Sequence, residues 1–190
     1  MVGIAIILVV VAALIVYIVA LYNELVGLRE NVKVAWANID VLLKQRHDEL
    51  PKLIETCKRY MQFEQDTLEK VMRARASVSD ASASGNVAAV GAAEQQLRAG
   101  MSRLFAVAES YPQLKSDETF QQLQARITAL EESIADRREL YNDQVNLNNI
   151  RVKVFPAVLV ARHFGFTTAH LLEFTPDEKH DVDVGALFRA

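Results

Sequence analysis

VGIAIILVVVAALIVYIVALYNELVGL, residues 2–28, decides the architecture: no charged residue precedes Glu24, and the run up to Tyr22 would be apolar on every side of a helix. A hydrocarbon core of roughly 30 Å takes about 20 apolar residues wound as an α-helix. Residues 2–22 supply that length. A helix lying in the interface would carry a charged face opposite an apolar one, and this run has none. A cleaved signal peptide needs a basic start, a short apolar core and a small-x-small cleavage site. No Lys or Arg precedes the run, and Val19-Ala20-Leu21-Tyr22 is a poor cleavage sequence. The reading is a retained single-pass membrane helix, with Tyr17 and Tyr22 at or near headgroup level.

Beyond the anchor, the remaining chain is long enough for one soluble domain with a real core and too short to expect two. The net charge of -3 is spread over mixed-sign segments with no basic tract, so no nucleic-acid footprint is expected. Cys57 is the single cysteine, which rules out an intrachain disulfide and any CxxC metal knuckle.

Across residues 24–76, apolar side chains recur at helical spacing, among them Leu25, Leu28, Val32, Ile39, Leu43, Leu50, Leu53, Ile54, Cys57, Met61, Leu68 and Val71. This predicts one long amphipathic helix, kinked or broken near Leu50 and Pro51 because proline lacks the amide donor and clashes with the preceding turn. Residues 77–86 are rich in Ser, Ala, Gly and Asp, and read as the loop where the chain turns back. A second helix is expected over 87–109, weakened by Gly91 and Gly100, with Val90, Leu97, Met101, Leu104 and Phe105 inward. The third has Ser116 as its cap, Asp117 and Glu118 at the positive end of the dipole, and a seam of Phe120, Leu123, Ile127, Leu130, Ile134, Tyr141, Val145 and Val152. It ends before Phe155-Pro156. A short fourth helix, 157–163, is stopped by Gly165. The last 24 residues, with Phe174, Val182, Val184, Leu187 and Phe188, are expected to form an irregular tail partly docked on the bundle.

The expected fold is therefore all-α: an N-terminal transmembrane helix (residues 1–22) continuing into an up-and-down antiparallel bundle of three long helices and a short fourth (23–166), then an irregular tail (167–190). A continuous helix from residue 2 to 76 would reach roughly 110 Å, against roughly 35 Å for the second helix. The membrane-proximal stripe must then be covered by the C-terminal segment, by a bend at Pro51, or by neighbouring copies.

The stretches Tyr22-Asn23-Glu24-Leu25-Val26-Gly27-Leu28-Arg29 and Val32-Lys33-Val34-Ala35-Trp36-Ala37-Asn38-Ile39-Asp40-Val41 resemble the LemA family of bacterial membrane proteins. So do Leu43-Lys44-Gln45-Arg46-His47-Asp48, Pro51-Lys52-Leu53-Ile54-Glu55-Thr56, Ala74-Arg75-Ala76, Tyr111-Pro112-Gln113-Leu114-Lys115-Ser116, Phe120-Gln121-Gln122-Leu123-Gln124, Arg137-Arg138-Glu139-Leu140-Tyr141-Asn142 and Phe155-Pro156. The resemblance covers residues 22–166 in collinear order. Asn148 departs from it, standing where the family commonly has an aromatic residue before the asparagine matched by Asn149, and the tail beyond Phe166 is more divergent. The resemblance implies a membrane helix followed by a helical bundle. It supplies no reaction.

No set of residues reads as a catalytic, cofactor-binding or metal site. His47 and Asp48 sit in a polar segment, where helical geometry brings neither Asp40 nor Glu55 to the imidazole, and read as solvated. His163, His170 and His180 lack the compact spacing of a helical metal site. Cys57 lies on the apolar stripe as a small core residue, with Lys58 and Arg59 pointing elsewhere. Arg46, Glu64 and Arg137 fall on or beside apolar stripes; a carboxylate such as Glu64 or Glu131 would pair with an arginine and fix helix register if they are buried, while flanking exposure is the simpler reading. Trp36, near Asn38 and Asp40, reads as a packing residue or a subunit contact.

The functional expectation is a noncatalytic, membrane-anchored scaffold or interaction module whose partners are the lipid bilayer, further copies of itself and a membrane protein, with no cofactor, metal or nucleic acid. The alternative is an accessory subunit of a membrane protease, transporter or stress-sensing system. An enzyme is disfavoured because the pattern predicts an apolar bundle interior without convergent polar groups. The location is the cell (inner) membrane, and Arg29 and Lys33 after the anchor, with no basic residue before it, point to a cytoplasmic C-terminal domain.

Overall fold

In the computed structural model, which describes residues 2–173, every regular element among the described residues is a helix: α1 (Val2–Lys58), α2 (Gln65–Ala83), α3 (Val87–Ala108), α4 (Pro112–Lys115), α5 (Glu118–Lys153) and α6 (Ala157–Phe164). The all-α expectation holds. The first 18 or more residues of α1 are long and apolar enough to cross a membrane, and their side chains are turned outward, not into a protein core. Phe174, His180, Val182, Val184, Leu187 and Phe188 lie outside the described residues.

Four boundaries differ from the expectation. Pro51 sits inside α1 and does not break it. A proline at this position leaves the carbonyl four residues earlier without its helical donor. That carbonyl belongs to His47, and Arg75 on α2 donates to it from Nε at 2.8 Å. The break comes instead at residues 59–64, a stretch with neither Gly nor Pro. Here Tyr60 N and Met61 N both donate to Cys57 O, at 3.0 and 2.8 Å, and Met61 is driven fully into the core. The single helix expected over 24–76 is thus the end of α1 plus most of α2, and the bundle has four long helical segments in place of three.

The segment 77–86 is mostly helix, because its alanines are the best helix formers and Val78 continues the buried face of α2. The turn itself is confined to 84–86, where Gly85 takes the left-handed conformation at φ 67°. Asn86 then caps α3, its Oδ1 accepting from Ala89 N at 3.1 Å. The cap of α5 is Asp117, not Ser116: Phe120 N donates to Asp117 Oδ1 at 2.9 Å. Ser116 closes the single turn of α4. Gly165 ends α6 in the left-handed region at φ 70°, as expected of a glycine just past a helix.

The described residues divide into two compact units. The first joins residues 2–39 to Ala135–Leu171. In it Leu21 and Leu25 of α1 pack with Val152 of α5, Ala157, Val160 and Ala161 of α6, and Phe166. Tyr22 meets the rings of Phe164 and Phe166 edge-on at 4.8 and 5.7 Å. Arg151 donates to Glu24 at 2.5 Å. Of the three ways to cover the membrane-proximal stripe, the C-terminal segment is the one used here.

The second unit joins Asp40–Ile134 to residues 172–173. Its core is built from Leu50, Leu53 and Ile54 of α1, Leu68 and Val71 of α2, Leu97, Met101 and Leu104 of α3, Leu114 of α4, and Phe120 and Ile127 of α5. Short turns between successive helices give antiparallel neighbours. The two glycines of α3 face neighbours at ordinary contact distance: a Cβ on Gly100 would lie 3.4 Å from Val71, and one on Gly91 3.4 Å from Leu172.

Candidate functional site

The apolar core of the second unit is interrupted by buried charge, most of all at Arg46. Arg46 is among the largest fully buried side chains of the protein. It projects from α1 between Leu43 and Leu50, where the helical period requires an inward side chain. Its Nη1 donates to Glu131 of α5 and its Nη2 to Glu94 of α3. Glu131 is shared with Arg98 of α3, whose Nε lies 3.4 Å from Oε2. Two arginines and two glutamates therefore balance, and three helices are tied by one guanidinium. Glu49, also buried, meets Arg126 of α5 at 3.3 Å and Lys52 at 3.2 Å.

Desolvating such charges costs several kcal/mol per ion, roughly recovered by pairing of good geometry. The arrangement is consequently a weak source of net stability and a strong constraint on register, since a shift of either partner helix strands an ion in the core. Both carboxylates are engaged with the Arg46 guanidinium.

The other residues singled out in the sequence are scattered. His47 is half-buried beside Arg75, and desolvation first, then the Arg75 charge, pushes its imidazole below the ordinary value of 6.5. Asp48, Glu55 and Asn38 are exposed. His47 and Asp48 line an opening of 540 Å³ with Asp40, Lys44, Ser79 and Ser82, where Asp40 is already held by Ser82 at 2.7 Å and Lys44 at 2.6 Å. Cys57 is fully buried, and burial pushes its thiol up to about 12. Lys58 and Arg59 are exposed beside it in sequence. Glu64 is half-buried at the start of α2, and Arg137 is exposed while its neighbour Arg138 is buried. Trp36 packs on Tyr141 at 5.5 Å between ring centres. His163 stacks edge-on against Phe164 at 4.8 Å, and the His170 main-chain carbonyl accepts from Tyr141 Oη at 2.9 Å. Among the described residues no group of three or more His, Cys, Asp or Glu side chains is placed to hold a metal ion.

Of the arginine pairings considered from sequence, Arg46 with Glu131 is the one realised. Glu94 was missed, although it stands between Val90 and Leu97 on the inward face of α3, the same signal that marked Arg46. Asn149 was also missed as a structural residue. Its amide clamps the backbone of Ala169, accepting from N at 2.8 Å and donating to O at 2.9 Å, while Asn148 reaches Thr167 O at 3.4 Å. Together with Tyr141 these groups fasten residues 167–170 to α5.

Two curated relatives, magnetosome proteins MamQ 1 and MamQ 2 of Paramagnetospirillum magneticum, are each 23% identical to this chain, over 82% of it and 65% of the relative. The chain thus spans just under two thirds of their length. Neither name states a catalytic activity. The LemA family matches residues 35–185, so the match takes in Arg46, Glu94, Glu131 and Asn149. The chain belongs to the LemA family.

Proposed function

We propose that this LemA-family protein is a noncatalytic, membrane-anchored helical scaffold. The observation that carries the proposal is α1 itself: one helix presents an outward apolar surface over its first twenty or so residues and then contributes Arg46, Leu50 and Leu53 to a closed core. A helix of this kind anchors a folded interaction surface at the bilayer. The charged cluster supports a noncatalytic reading, because the Arg46 Nη1 and Nη2 groups are taken up by Glu131 and Glu94. At 23% identity over part of their length, the magnetosome relatives lend this reading no specific role.

The scaffold acts in the inner membrane as a homo-oligomer, with its C-terminal domain in the cytoplasm. The expected stripe between residues 25 and 50 no longer argues for self-association, since Leu25, Ile39 and Leu43 are buried within the chain. Support comes from Leu140 and Leu147, both exposed and seven residues apart on α5. Light scattering on the full chain in mild detergent is expected to give a defined multimer; a monodisperse monomer contradicts it. A reporter active on one side of the membrane, fused to Ala190, is expected to report the cytoplasm.

A second reading, an accessory that docks a partner protein, is favoured by Phe63. Its side chain is 93% exposed in the turn between α1 and α2, at the edge of a 730 Å³ hollow lined by Ile54, Met61, Leu68 and Met72. Photocrosslinking from position 63 in cells separates the two: a defined foreign protein supports the accessory reading, and self-adducts support the scaffold.

A further inference from the structure

Helix α6 is the shortest apolar element of the first unit, and only one of its faces is covered. Ala157, Val160 and Ala161 turn inward onto Leu21, at the end of the apolar run of α1, and Leu25, one turn beyond it. Tyr22 is locked against Phe164 and Phe166. The helix is therefore held at the height where the membrane-crossing segment ends. Its other face is open: Leu159 is 60% exposed beside Arg162 and His163, and Phe155 in the turn that precedes the helix is 77% exposed. Large apolar groups left open at this height need a nonaqueous neighbour.

Charge points to the same neighbour. Residues 144–172 contain Arg151, Lys153 and Arg162 and no Asp or Glu. Arg151 is engaged by Glu24, whereas Lys153 and Arg162 flank the open face and are exposed. A segment with exposed aromatic and aliphatic groups and basic groups at its margins is the pattern of an element lying in the headgroup region of an anionic membrane.

We propose that α6 and the turn before it form a second membrane contact, with Phe155 and Leu159 seated at the acyl boundary and Lys153 and Arg162 against anionic lipid headgroups. The contact rests on the reading of α1 as a membrane-spanning helix. It makes the attachment two-point: the chain crosses the bilayer through α1 and is then held against its surface by α6, which restricts how the first unit tilts and rotates on the anchor.

The test uses the full chain in vesicles of phosphatidylcholine and phosphatidylglycerol, with a nitroxide label on single cysteines introduced by Leu8→Cys, Val34→Cys, Phe155→Cys and Leu159→Cys. Cys57 is buried and stays unlabelled. These positions are all exposed, so the fold is retained. Collision with oxygen reports lipid, and collision with a water-soluble nickel chelate reports solvent. The expected result is an oxygen-to-nickel ratio at positions 155 and 159 about five-fold or more above that at 34, approaching that at 8, and reduced when phosphatidylglycerol is omitted. A ratio at 155 and 159 equal to that at 34, with position 8 still protected, overturns the α6 contact and leaves the anchor standing. Nickel access at position 8 overturns both. Shielding from both reagents at 159 with spin–spin broadening shows a second copy on this face and also overturns the proposal.

Discussion

Arg75 donates from Nε to the main-chain carbonyl of His47 at 2.8 Å, supplying from α2 the hydrogen bond that Pro51 withholds within α1. A proline in the interior of a helix ordinarily kinks or ends it. Here the orphaned carbonyl is answered by a side chain from the next helix, and α1 runs on for another seven residues to Lys58. Arg75→Ala is expected to cost about 1–3 kcal/mol, the penalty for an unsatisfied buried acceptor. Pro51→Ala restores the helical donor, so in that background the cost of Arg75→Ala falls to less than half. A double-mutant cycle on thermal or urea unfolding of the full chain in detergent measures the coupling; purely additive effects would refute the compensation.

The ion cluster predicts opposite outcomes for partial and complete removal. Arg46→Met leaves Glu94 and Glu131 without their shared cation in the core and is expected to destabilise by about 3–5 kcal/mol. Replacing Glu94 and Glu131 by leucine in the same chain removes the stranded charges and recovers most of that loss, while Arg98, half exposed, turns to solvent. If the triple variant is no more stable than Arg46→Met, the cluster contributes net stability and not chiefly register.

Asp117 carries a pH dependence with a definite sign. Hydrogen bonds from Phe120 N, at 2.9 Å, and then from Tyr60 Oη, at 3.0 Å, hold its carboxyl below the ordinary 3.8. Its contribution is therefore present above pH 3.8 and is lost as pH falls through the depressed folded-state value. Asp117→Asn should melt below the parent at pH 7, and the two melting curves should converge on acidification. A gap that stays unchanged as pH is lowered from 7 through 3.8 and further into acid would contradict the assignment.

Cys57 is expected to be inert while the protein is folded, since burial pushes its thiol up to about 12 and leaves almost no thiolate at neutral pH. Modification by a small maleimide should track global unfolding in denaturant. Fast labelling of the native chain would show that the α1 terminus opens locally.

Residues such as Leu25, Ile39, Leu53, Leu97, Phe120 and Ile127 were readable as core because helical periodicity depends only on which side chains leave water. The ends of the helices were harder. Gly165 announces itself, whereas the break at 59–64 has no glycine or proline, and its apolar Tyr60 and Met61 extend the very stripe that they terminate. Pro51 misled in the other direction, because the donor that rescues its carbonyl lies 24 residues further along the chain, at Arg75. The charged cluster was half legible. Arg46 stood out on its stripe with Glu131 as one possible partner, although exposure was the simpler reading; Glu94 stands on the inward face of α3 in the same way, while the tail clamp at Asn149 depends on tertiary neighbours that no local pattern specifies.

The central claim, that α1 carries the protein into the bilayer and the bundle core on one helix, is tested most directly by alkaline carbonate extraction of membranes bearing the full chain and a variant with Leu8→Lys and Val11→Lys. Each lysine at the centre of a spanning helix costs about 2.5–3.5 kcal/mol of insertion energy. The account predicts that the parent chain stays in the membrane pellet while the double-lysine variant, still helical by circular dichroism, moves to the supernatant. Release of the parent chain by carbonate would contradict it.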